Sequence, residues 1–316
     1  MKFLNSFREM TGSLRLWRCF SCVLLVSVLL CVTQIGNSQH AETTAGSHTR
    51  RMRATMTPES RALVEEAIGV VCTQAKLDPN SSIAIDEMQA KPSLPIQSPE
   101  AIAGAQRAQR LLPTAKKLVI ASLRLVITEY GMGKSPILRR RVIQATSRVE
   151  AVTKIRPDMD SRDNASVFLS RPHTITFGTI FLAGLRSDEG MISVLSHELM
   201  HIADGDSDSL RPLVTAIASK ASNLTGLDIR GQRGEELTSD LIGAMAVRSY
   251  VADTPSYESI ARRLARAVQH NCVDLDEGDD DHLSPRNTIR ALMALNPVLV
   301  RELINDREER PVKKNE

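Results

Sequence analysis

Strand-like patterning occupies one short window of this chain, between regions where helical patterning dominates. Residues 149–155 and 166–177 are rich in β-branched side chains and are punctuated by Arg171-Pro172. Two or three short strands with a hairpin are the expected result. Before that window, apolar residues recur at helical spacing over 58–77 (Leu63, Ala67, Val70, Val71) and over 100–130. The second region is expected as two helices broken near Pro113 and ended by Gly131-Met132-Gly133. Further helices are expected over 188–203, 209–221, 235–251, 256–270 and 285–295. One small sheet flanked by helices is a mostly helical α+β architecture, and no internal repeat is visible.

The core of such a domain must be aliphatic. Aromatic residues make up 3% of the 316 residues, and Phe3, Phe7, Trp17 and Phe20 all fall in the first twenty positions. Too few remain elsewhere to build stacking platforms for bases or sugars. The formal net charge is +3, but Lys2, Arg8, Arg15, Arg18 and Glu9 lie in the first 38 residues, and outside them acidic and basic side chains balance. A neutral body lacks the electrostatic footprint of a nucleic-acid binder, so that class is excluded.

Residues 1–38 read as a signal peptide or an N-terminal anchor. A basic stretch ends at Arg18, an apolar run covers 19–32, and Gly36-Asn37-Ser38 follows. The run is shorter than the roughly 20 residues that cross a bilayer, which favours a cleaved leader. Leu30 before Cys31 argues against lipid attachment. Residues 39–57 are small, polar and basic, as in a flexible linker. A single folded domain is expected over 58–305, with a helical N-terminal region over 58–130 and a charged tail over 306–316. Export, to a periplasm or outside the cell, would place Cys72 and Cys272 in an oxidising compartment. They are then either a disulfide or two separate buried thiols.

The strongest local signal is His197-Glu198-Leu199-Met200-His201, in a segment whose Ile192, Val194, Leu195 and Leu199 suit a buried helix. Residues four apart lie one turn above each other, so both imidazoles can face one metal ion. Glu198 stands beside them, within reach of a water at that ion. By itself the pattern also fits ordinary core or surface histidines. A hydrolytic zinc site needs a third protein ligand and an open position. The metzincin continuation is excluded, because Asp204 and Ser207 stand where its Gly and third His would be. The next candidate lies in 235–243, where Glu236 and Asp240 are one helical turn apart. One carboxylate can ligate while the other orients a histidine through its second ring nitrogen. Glu235 is adjacent to Glu236, and a solvated helix start also favours acids, so Glu236 has an ordinary structural reading as well.

Together these residues resemble the HtpX-like gluzincin metallopeptidases, relatives of the prenyl-protein (CAAX) proteases. That family has a strand with a hairpin, a short helix, the HExxH helix, and then a Glu-x-x-x-Asp helix with a Gly three residues on. The similar segments here are 166–177, 179–185, His197 to His201, and Glu236 with Asp240 and Gly243. Asp281-His282-Leu283-Ser284-Pro285 is similar to the family's late His-Pro element, with Leu283 where Pro is usual. The resemblance covers about residues 149–295 and implies a zincin-like metalloprotease domain. No later apolar run is long enough to span a membrane, so the likeness is to the soluble exported branch. The hairpin carries Arg171-Pro172-His173 in place of the usual Pro-Gly-Gly.

The expected metal ligands for one Zn2+ per chain are therefore His197, His201 and Glu236, with Asp240 orienting a ligand and Glu198 as general base. The resemblance makes His282 a transition-state donor or an occupant of the open position; otherwise it is a loop histidine after the acidic run 274–281. That run lacks EF-hand spacing and reads as a solvated loop, as do Asp204, Asp206 and Asp208. The function expected is an exported zinc-dependent endopeptidase for unfolded or misassembled proteins, with an extended peptide pairing along the sheet edge near 166–177. The alternative is a non-proteolytic zinc-containing binding or quality-control protein that uses the same edge. Membrane contact is expected only through residues 19–35, if the leader is uncleaved.

Overall fold

Serine or threonine followed by proline opens helix after helix in this chain. Thr57-Pro58, Ser98-Pro99, Ser135-Pro136 and Ser284-Pro285 each place a hydroxyl that accepts from a backbone N–H three residues on, and a proline whose missing N–H costs nothing there. The computed structural model describes residues 55–81, 92–168, 170–205, 210–268, 272 and 278–308. The expected leader, nearly all of the linker, Asp206, Asp208 and residues 309–316 lie outside the described residues.

The elements run α1 (Pro58–Leu77), α2 (Pro99–Glu129), a 3-10 turn (Met132–Lys134), α3 (Pro136–Ala151), β1 (Lys154–Asp158), β2 (Ala165–Val167) and β3 (Thr174–Gly178). They continue with α4 (Thr179–Gly184), α5 (Asp188–Asp204), α6 (Arg211–Thr225), α7 (Gln232–Asp253), α8 (Ile260–Ala265), α9 (Pro285–Leu295) and α10 (Pro297–Glu308). This is a mostly helical α+β fold with one small mixed sheet. No helix among the described residues is long and apolar enough to cross a membrane.

Several expectations shift in detail. The break near Pro113 is absent, and α2 runs unbroken through it. An interior proline costs about 3 kcal/mol. Burial of Leu111, Leu112, Val119 and Leu123 on both sides of it, at roughly 1.5–3 kcal/mol each, outweighs that cost. Pro113 and Gln109 are both exposed, so water can satisfy the carbonyl that loses its partner. Residues 149–151 close α3 rather than opening a strand, and β1 starts only at Lys154. The helix expected over 256–270 is confined to Ile260–Ala265, and α10 carries helix into the tail to Glu308. In α1 the buried stripe is Val64, Ala67, Ile68, Val71 and Ala75, while Leu63 is exposed.

The sheet order is β1-β3-β2, with β1 parallel and β2 antiparallel to β3. β3 is therefore the central strand, and Ile175 and Phe177 on it are fully buried. Helix α5 runs through the middle of the molecule, packed against α2 and α7, with Met191, Ile192, Leu195 and Leu199 fully buried. Helix α1 covers α8, α9 and α10. Cys72 on α1 is disulfide-bonded to Cys272, which resolves the choice between a pair and two thiols.

Candidate metal centre

Because α5 is a continuous buried helix, residues four apart on it share one face. His197 and His201 accordingly bring their Nε2 atoms to 3.0 Å from each other. The C-terminal end of α5 is held by Arg148 of α3, whose guanidinium donates to the carbonyls of Ile202, Ala203 and Asp204. A cation on the last carbonyls of a helix also complements its dipole. No sequence signal points to Arg148, since its partners lie more than fifty residues away.

Helix α7 lies along α5 and brings the carboxylates. At Gly243 a Cβ would come to 3.2 Å from the Ser193 carbonyl oxygen, so the missing side chain lets the two backbones approach closely. Two turns earlier on α7, Glu236 Oε2 lies 3.1 Å from His197 Nε2 and 3.4 Å from His201 Nε2. Asp240 Oδ1 accepts from His197 Nδ1 at 2.9 Å. His197, His201 and Glu236 thus form a group that could hold a metal ion. Of the two adjacent acids, Glu236 faces the histidines; Glu235 is outside the group.

The donor set fits a cation on chemical grounds. Asp240 fixes the proton of neutral His197 on Nδ1, which leaves a lone pair on Nε2. Two ring nitrogens and a carboxylate oxygen then converge at 3.0–3.4 Å. Such a cluster of acceptors is stable only with a proton or a cation among them. The protein groups alone compensate with protons. Burial opposes charge on His197, but Asp240 and Glu236 outweigh it and raise the ring well above its ordinary value. Burial likewise works against ionised Glu236, yet His197, His201 and His282 hold its carboxyl far below the usual carboxylate range.

Glu198 is buried at 6% exposure on the same helix. Burial raises its carboxyl above the ordinary value, with His197 and His201 pulling the other way and Glu236 adding to the rise. A carboxylate with raised proton affinity suits a proton shuttle. His282 Nε2 reaches to 3.5 Å from Glu236 Oε2, and its Nδ1 lies 3.3 Å from Asp279 Oδ1. Glu236 raises the His282 ring to about 9, against the effect of burial. His282 stands beside the Glu236 corner but outside the mutually close group of three.

The sheet is adjacent, since β2 packs against α5. The edge expected over 166–177 is corrected in one respect: β3 is paired on both sides, so among the described residues the edge strand on this side is β2. Phe168, just beyond β2, is 48% exposed. No family model, no curated protein and no solved structure matches the chain.

Proposed function

We propose that the chain is a zinc-dependent endopeptidase, with His197, His201 and Glu236 as ligands and Glu198 as general base. The observation that supports this most directly is the spacing of the three donor atoms, 3.0, 3.1 and 3.4 Å. Zinc bonds of about 2.0–2.2 Å in a tetrahedral array set ligand atoms roughly 3.3 Å apart. Three protein ligands would leave a fourth position for water or substrate, as in catalytic rather than structural sites. When bound, zinc would supply a Lewis acid that polarises the scissile carbonyl and acidifies the attacking water.

The remaining steps belong to the chain's own side chains. Asp240 holds His197 in the tautomer that offers Nε2. Glu198 takes a proton from the attacking water and delivers it to the leaving amine as the C–N bond breaks. His282, beside Glu236 and held as the imidazolium with a proton on each ring nitrogen, donates from Nε2 toward the negative charge that grows on the carbonyl oxygen. The substrate is an unfolded segment, laid antiparallel or parallel along the outer edge of β2, where backbone pairing reads extended conformation more than side-chain identity. Export to an oxidising compartment accords with the Cys72–Cys272 disulfide and with the leader-like residues 1–38.

The experiment is zinc analysis of the purified protein together with casein digestion, with and without chelator. Glu198→Gln is expected to keep one zinc and lose cleavage. Digestion that survives both the chelator and Glu198→Gln would refute the reading, and zinc retention without any cleavage by the unaltered protein would favour the non-proteolytic binding alternative.

A further inference from the structure

We infer that Asp279 and Arg233 are positioning residues that aim the His282 ring at the metal group. The inference rests on the proposed reaction only for the part His282 plays in it; the placement of the ring stands on contacts. The His282 side chain is 58% exposed, so packing cannot orient it. Hydrogen bonds must do so.

They come from one carboxylate. Asp279 Oδ1 accepts from the backbone N–H of Asp281 at 2.8 Å and of His282 at 2.5 Å, and the same oxygen lies 3.3 Å from His282 Nδ1. The Asp279 N–H donates in return to the His282 carbonyl at 3.0 Å. Gly278 pairs across the turn with Leu283, at φ +83, and a Cβ there would come to 2.5 Å from the His282 carbonyl oxygen. Only glycine closes the turn this tightly. With a proton on Nδ1 directed at Asp279, the His282 Nε2 is left facing Glu236, 3.5 Å away. Asp240 orients the His197 ring through Nδ1 in the same way and points its Nε2 inward; the likeness is one of ring orientation, since His197 offers a lone pair there and His282 a proton.

Arg233 anchors this turn to the helix that carries the ligand. It lies in the first turn of α7, three residues before Glu236, and its guanidinium donates through Nε at 2.8 Å and through Nη2 to the single carbonyl of Asp279. The position of His282 is thereby referenced to Glu236 through one rigid turn of helix. The contact between Arg233 and Asp279 carries no sequence signal, because the two are 46 positions apart.

The test is a double-mutant cycle on the zinc-loaded full chain with an unfolded-protein substrate, joined to hydrogen exchange on the metal-free chain. His282→Ala is expected to lower kcat about 100-fold with zinc content and KM held. Asp279→Ala is expected to lower kcat about tenfold, and to cost nothing further in the His282→Ala background. Arg233→Ala should behave in the same way, with partial rescue by Arg233→Lys. The 278–284 amides should exchange faster in Asp279→Ala and Arg233→Ala, while those of α5 and α7 stay protected. Equal losses from Asp279→Ala in both backgrounds, or unchanged exchange over 278–284, would overturn the inference. If the unaltered protein binds zinc but cleaves nothing, the proposed reaction falls, and the exchange measurement still decides whether the two residues position His282.

Discussion

Asp240 Oδ1 meets His197 Nδ1 at 2.9 Å, and this contact between α7 and α5 decides which nitrogen of His197 is offered to the metal group. Glu236, one turn earlier on α7, reaches the other nitrogen of the same ring at 3.1 Å. One helix therefore both orients a histidine and carries the third member of the group that could hold a metal ion.

Asp240→Ala removes the acceptor and frees the ring to rotate and change tautomer. The expected outcome is a zinc affinity lower by about 10–100-fold. Asp240→Asn, which keeps an acceptor without charge, should lose less. Competition against a chelator of known affinity measures both.

Gly243 tests the approach of α7 to α5. Gly243→Ala gains about 0.5–1 kcal/mol of helix propensity, against a contact that asks the Ser193 carbonyl to give by a few tenths of an ångström, so the net change is expected near zero. Gly243→Val adds two methyls that cannot be absorbed so easily, and overpacking of this kind costs about 1–3 kcal/mol. It should also pull Glu236 away from His197 and reduce zinc stoichiometry. Urea midpoints and metal content distinguish the two variants.

The Cys72–Cys272 bridge closes a loop with a sequence separation of 200. In the chain-entropy model such a loop is worth about 5 kcal/mol. Cys72→Ser combined with Cys272→Ser, or reduction of the unaltered protein, is expected to lower the unfolding free energy by an amount of that order. Denaturant titrations with and without reductant measure it, and reductant should have no effect on the double variant.

Arg263 and Glu189 form a buried ion pair at 2.7 Å, with side chains 8% and 7% exposed. Arg263 also donates to the carbonyls of Val251 and Thr254. Arg263→Ala would leave the Glu189 carboxylate buried without its partner at the start of α5, and is expected to cost about 3–5 kcal/mol. Adding Glu189→Gln removes the stranded charge and should recover part of the loss. Thermal or urea unfolding of the single and double variants checks both steps.

The members of the metal group are legible from spacing because a helix converts sequence separation directly into geometry. His197 and His201 had to share a face once their segment was helical, and Glu236 with Asp240 had to stand one turn apart. Helix α3 is not among the helices expected: only Leu138, Ala145 and Val149 on it are buried, so its periodicity is hidden by polar residues, although Ser135-Pro136 caps its start. Pro113 misleads for the complementary reason: a local penalty near 3 kcal/mol is visible in the sequence, and the burial that exceeds it is not.

Local chain geometry, then, determined the helical class, the paired imidazoles and the paired acids. Packing between distant segments decided the rest: that Glu236 rather than Glu235 faces the histidines, that β3 is central and β2 the edge, that the two cysteines are joined, that Arg148 meets the last carbonyls of α5, and that Arg233 meets the Asp279 carbonyl. Those distances are set by how whole elements fit together, and no spacing along the chain encodes them.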